Sequence, residues 1–179
     1  MLYESFMHSE NPEVTINVKD FGTIKIQLFQ SVAPNTVANF AHLVSQKYYD
    51  GLIFHRIIPG FMIQGGWGQK DACAIKGEFS SNGIQNDLTH DRGVISMART
   101  NDPNSASSQF FIMHQASPHL NGQYAAFGAV FEGIEVVDKI AVSQKNHNDK
   151  PLKDIVIESM TIDLKGQTLP KPVCYSRKV

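Results

Sequence analysis

Long apolar runs are missing from this chain of 179 residues. No stretch approaches the roughly 20 residues that a membrane-spanning helix needs. The N-terminus, MLYESFMHSENPE, lacks the basic start and apolar centre of a signal peptide. Charged residues make up only 18% and nearly cancel, with a formal net charge of −1, so no basic field points to nucleic acid or a membrane surface. Cysteine is scarce: Cys73 and Cys174 stand far apart in polar surroundings and read as free thiols in a reducing cytosol. No N-x-S/T sequon occurs, in keeping with a cytoplasmic location. The seven histidines show no HxxxH or HExxH spacing, so no metal centre is expected. Gly65-Gly66-Trp67-Gly68 is followed by no GK[ST], so it is not a phosphate loop, and no cofactor is implied.

What is present is strand patterning. Val14, Ile16 and Val18 alternate with polar residues, as do Ile24, Ile26 and Leu28 after the turn Asp20-Phe21-Gly22, which predicts a hairpin. Pro34 suits a first helical position, and Val37, Phe40, Ala41 and Val44 follow at helical spacing, predicting a helix over 34–48. Further strands are expected over 52–58, 61–65, 93–98, 109–113 and 127–131, with a closing strand through Val156, Met160, Ile162 and Leu164. Ile134, Val137, Ile140 and Ala141 mark a second, short helix. Residues 66–92 read as a long surface loop of the kind that is usually functional or mobile. A sheet of about eight short strands with two helices points to a mainly β protein: a closed eight-stranded antiparallel barrel with a helix over each end, which leaves no free edge. One domain over 13–165 is expected, with an arm over 1–12 and a poorly ordered tail over 166–179.

The segment from Phe54 to Gly66, FHRIIPGFMIQGG, stands out. It sets one cation, Arg56, into an apolar strand beside a Pro59-Gly60 turn, and one amide, Gln64, into the next. An unpaired buried guanidinium is costly, so its presence asks for a use. Strand parity places Met62 with Gln64, and Gln109 with Phe111, while His55 should point away from Arg56. If those faces meet, the site holds a guanidinium, two amides, a thioether and a phenyl ring, but no acid and no thiol. Such a set suits a reaction that breaks no bond to hydrogen. The bland readings are that Arg56 is a structural cation and that Phe61, Met62 and Phe111 are core. Trp67 reads as loop packing, and Asp87, Asp91 and Asp102 as solvated or turn-forming.

FHRIIPGFMIQGG, followed by SQFFI at 108–112, resembles the cyclophilin family of peptidyl-prolyl cis-trans isomerases, and the likeness runs over about residues 14–164. The resemblance implies rotation about X-Pro bonds of proline-containing peptides and unfolded proteins, by a monomer in the cytoplasm. It implies Arg56 and Gln64 as the catalytic pair, with Gln109 supporting them. Phe61, Met62, Phe111 and Leu120 would line a proline pocket capped by Tyr124, and Ala98 and Arg99 would offer main-chain groups to an extended peptide. Two positions depart from many eukaryotic members: His119 stands in place of a tryptophan before the pocket leucine, and Tyr124 in place of a histidine. Both resemble bacterial-type cyclophilins and imply a bacterial source. Loss of the tryptophan's indole N–H implies weaker cyclosporin binding with catalysis kept. The rival functions are a proline-peptide binding module with vestigial catalysis and a folding helper that works by binding through the loop at 66–92.

Overall fold

The computed structural model describes residues 1–176. Eight strands form one antiparallel sheet: β1 (Glu13–Val18), β2 (Gly22–Leu28), β3 (Phe54–Ile58), β4 (Met62–Gly65), β5 (Val94–Met97), β6 (Phe110–Met113), β7 (Ala126–Glu132) and β8 (Ile157–Asp163), in the order β3-β4-β6-β5-β7-β2-β1-β8. The helices are α1 (Pro34–Ser45) and α2 (Ile134–Ala141). The β1–β2 hairpin turns through Asp20, whose φ of 66° an aspartate tolerates through its short polar side chain. Val14, Ile16 and Val18 fall on the buried face of β1, as their alternation requires. Helix α1 stops at Ser45, earlier than its sequence pattern suggests, because Lys47 turns left-handed at φ 57°.

The interior is closed by aromatic rings. Phe40 of α1 meets Phe127 at 5.1 Å, Tyr49 at 5.3 Å and Phe110 at 5.6 Å between ring centres. Each fully buried large ring brings roughly 150–250 Å² out of water. Tyr49 is completely buried and donates its hydroxyl to Ser108 O at 2.8 Å, and burial pushes its pKa well above the usual phenol value. No side chain of the preceding residue, Ala33, caps α1; Glu78, buried in the loop over 66–92, accepts from Thr36 N at 2.6 Å and from the Thr36 hydroxyl at 2.7 Å. A carboxylate at a helix N-terminus satisfies free amides and meets the positive end of the helix dipole.

Three expectations are corrected. The barrel is not closed: β3 and β8 are the two edges of an open, curled half-barrel. Between them lie one bridge, Ile53 to Val156, and backbone bonds such as Phe54 N to Ile155 O at 3.0 Å and Ile157 N to Leu52 O at 2.8 Å. Farther along β3, Ile57 N finds Asp149 O of the preceding connection instead, because the chain opposite turns away before a ladder can form. The cysteines are not free thiols: Cys73 and Cys174 are disulfide-bonded, which withdraws the support they gave to a reducing cytosol. The tail is ordered as far as it is described. Asn35 of α1 clasps Val173 in both directions, at 3.0 and 2.8 Å, Tyr175 N reaches Ala74 O at 2.7 Å, and Leu169 packs on the core. Residues 177–179, part of that expectation, lie outside the described residues.

The disulfide spans a sequence separation of 101 residues and so restrains the unfolded chain strongly. Cys174→Ser should lower stability by about 2–4 kcal/mol in urea denaturation. Reductant should lower the wild-type unfolding free energy by a similar amount and leave the variant's unchanged.

Candidate active site

The site begins with an extra residue. Phe54 pairs with Gly65 and Arg56 with Gln64, so β3 carries a bulge at His55. Phe54 and Ile57 are both fully buried, while Arg56 is exposed. The bulge also overturns the expected orientation of His55, which lies beside Gln109 and edge-on to Trp67 at 5.5 Å. Burial, and next the charge of Arg56, hold its imidazole pKa below the usual value.

Across the ladder, Arg56 Nη1 donates to Gln64 Oε1 at 3.2 Å, and Gln64 Nε2 donates to Gln109 Oε1 at 3.0 Å. Gln64 also faces Phe111 on β6. The Pro59-Gly60 turn that joins the two strands is anchored from behind. Gly60 N donates to His114 Nδ1 at 2.8 Å, and Phe61 O accepts from His114 N at 2.8 Å. With Nδ1 accepting, His114 Nε2 carries the hydrogen and reaches Asp138 Oδ1 at 3.1 Å. Asp138 is also held by both Nη atoms of Arg92, whose hydrogen bonds keep its carboxyl below the usual range.

Nine of the eleven residues expected at the site line one cleft of about 160 Å³: Arg56, Phe61, Met62, Gln64, Ala98, Arg99, Phe111, Leu120 and Tyr124. Gln109 stands behind Gln64. His119 is exposed on the single turn Pro118–Leu120, with its ring 6.1 Å from that of Phe61, at the rim rather than in the lining. Ala98 N is already bonded to Gln109 O at 3.0 Å, so its amide is not available to a peptide. Arg99 does more than its main chain suggests: its guanidinium lies 4.6 Å from the centre of the Tyr124 ring and 5.0 Å from that of Phe79. A larger hollow of about 770 Å³ between the arm and α2 takes in Glu4, Asp91, Glu132 and Glu135, and the cation lining it, Arg92, is already held by Asp138.

One support was missed. His90 is buried and lies parallel to Phe111, 6.1 Å between ring centres. Asn121 Oδ1 accepts from His90 N at 2.7 Å and lies 3.1 Å from Nδ1, which identifies that atom as the oxygen and puts the imidazole hydrogen on Nδ1. Ser96 Oγ, at 2.8 Å, then donates to Nε2. The signal that could have found this was Ser96 itself, a hydroxyl inside the apolar run GVISMA, which demands a partner once buried.

Comparison with known proteins agrees with this geometry. The family described as cyclophilin type peptidyl-prolyl cis-trans isomerase matches residues 13–162. A peptidyl-prolyl cis-trans isomerase of Arabidopsis thaliana is 42% identical over 147 residues, covering 80% of this chain and 91% of that protein. One of Streptomyces antibioticus is 42% identical over 158 residues, covering 79% and 93%. Plant and bacterial relatives at equal identity do not choose a source. The crystal structure of a cyclophilin type isomerase of Cryptosporidium parvum superposes with a TM-score of 0.77 at 33% identity, covering 86% of this chain and 98% of that one. The open eight-stranded half-barrel with its two helices is that of a proline isomerase. The chain belongs to the cyclophilin family of peptidyl-prolyl cis-trans isomerases.

Burial pushes the His90 pKa from 6.5 down to about 4. The unfolded chain therefore binds a proton more readily, and stability should fall as pH drops from 6.5 to about 4, then level off. The full loss is about 3 kcal/mol. Urea denaturation at neutral and acid pH should show this dependence, and His90→Asn should flatten it.

Proposed function

We propose that the chain turns X-Pro bonds of unfolded or flexible polypeptides by binding the twisted amide at Arg56. The carrying observation is a permanently charged guanidinium, fixed by the Gln64–Gln109 relay, at the mouth of an apolar cleft lined by no carboxylate, thiol or imidazole. Rotation about the bond needs neither a base nor a nucleophile. It must cross a barrier of roughly 18–20 kcal/mol, which makes the uncatalysed change take on the order of tens to hundreds of seconds. In the twisted state resonance is lost and the proline nitrogen gains a lone pair, so a donor near that nitrogen favours the transition state over the planar ground state. Turnover in milliseconds requires a gain of about 10⁴–10⁵, or roughly 5.5–7 kcal/mol. One charged donor in a water-poor cleft accounts for about half of that. Shape selection of the twisted ring by Phe61, Met62, Phe111, Leu120 and Tyr124 provides the remainder.

In this reading Gln64 orients Arg56, Gln109 holds Gln64, and the 98–99 main chain faces an extended peptide through groups other than the Ala98 amide. His119 flanks the rim. The protein acts as a monomer that assists folding by this chemistry. Cyclosporin binds weakly, since a histidine at the rim supplies no indole N–H to it.

Arg56→Ala should lower kcat/KM roughly a hundredfold in a protease-free NMR exchange assay on an X-Pro peptide, and a rate within about twofold of wild type would overturn the mechanism. Because His119 is exposed beside Phe61, His119→Trp can be accommodated without disturbing the core. It should tighten cyclosporin binding at least about tenfold by calorimetry, a gain of roughly 1.4 kcal/mol.

A further inference from the structure

The cleft has a second guanidinium that the rotation does not use. Arg99 Nε and Nη2 both donate to Gln123 O, at 3.2 and 2.7 Å, and Nη1 donates to Thr100 O at 2.9 Å. With the Phe79 and Tyr124 ring centres 5.0 and 4.6 Å away as well, the group is held in position. Carbonyl oxygens and ring faces orient a cation without cancelling its charge. Among the described residues neither Arg99 nor Arg56 forms an ion pair with a carboxylate. Asp149, the acid whose titration Arg56 influences, is already bound by Lys145 Nζ at 2.7 Å. Both arginines line the same cleft, which has no acidic residue in its lining and, at about 160 Å³, holds little more than one small ring. The residues flanking a seated proline must therefore run along the rim of a cleft whose two guanidinium groups, among the described residues, are not ion-paired with a carboxylate.

We propose that Arg99, together with Arg56, makes the enzyme select X-Pro sites flanked by an acidic side chain. Arg99 acts as a specificity-determining residue. This rests on the isomerase reading above. The attraction is through space, so it does not need the donors already engaged with carbonyls, and it weakens as salt screens it.

The test is the exchange assay on three peptides that differ only beside the proline, carrying glutamate, its neutral isostere glutamine, or lysine. They are placed before the proline in one set and after it in another. At low ionic strength the glutamate peptide should exceed the glutamine peptide in kcat/KM by about two- to fivefold in at least one set, with lysine below both. High salt should bring the three together. Arg99→Gln should remove most of the preference, and Arg99→Lys should retain more of it. If Arg99 is only a strut between the 99–101 and 121–124 segments, both variants will slow all peptides alike and leave the ratios untouched, which overturns the proposal. So does equal turnover of glutamate and glutamine peptides by the wild type. Failure to turn over even the glutamine peptide would instead overturn the isomerase reading, and this proposal with it.

Discussion

The extra residue at His55 is the constraint on which the site depends. The inner face of the sheet is packed with apolar side chains, and a guanidinium placed there without a partner would cost several kcal/mol. With Phe54 and Ile57 both committed to the interior, simple alternation cannot place Arg56 outside. The bulge inserts the residue that makes it possible. Once Arg56 faces outward, the antiparallel register does the rest: Gln64 lies opposite it, and Phe111 lies opposite Gln64. One irregularity in an edge strand thus sets a cation, an amide and a ring side by side across three strands.

Around that row, parts of the structure remote in sequence hold the walls still. His114, Asp138 and Arg92 tie the Pro59-Gly60 turn to α2, and so position Phe61. His90, Ser96 and Asn121 brace Phe111 from behind with a neutral imidazole. The long loop over 66–92 belongs to the same scaffold, since Glu78 caps α1 and Phe79 carries Arg99. A reaction that depends on fitting a twisted bond rather than on moving protons gains from rigid walls, because misplacement by even an ångström erodes the difference between planar and twisted forms.

Much of this was readable from local pattern. The alternation of Val14, Ile16 and Val18 and the spacing of Val37, Phe40, Ala41 and Val44 gave their elements directly, because side-chain period and backbone period coincide there. The two motifs supply five of the nine residues that line the cleft, and Ala98, Arg99, Leu120 and Tyr124 followed only from the family resemblance. What was not readable depends on partners far along the chain. Neither the Glu78 cap, 42 residues from Thr36, nor the pairing of Cys73 with Cys174 leaves a local trace. The orientation of His55 was misread because parity assumes a regular strand. The open seam escaped notice because strand count alone does not say whether the last strand meets the first.

The Cys73–Cys174 bond also has a topological consequence. It turns the chain between those residues into a covalent ring that contains β5 to β8 and α2, while β1 to β4 and α1 form an arm outside it. The cleft straddles the boundary: Arg56, Phe61, Met62 and Gln64 belong to the arm, and Ala98, Arg99, Phe111, Leu120 and Tyr124 to the ring. A peptide bond broken anywhere within the ring would leave a single covalently connected molecule, with both halves of the cleft still joined.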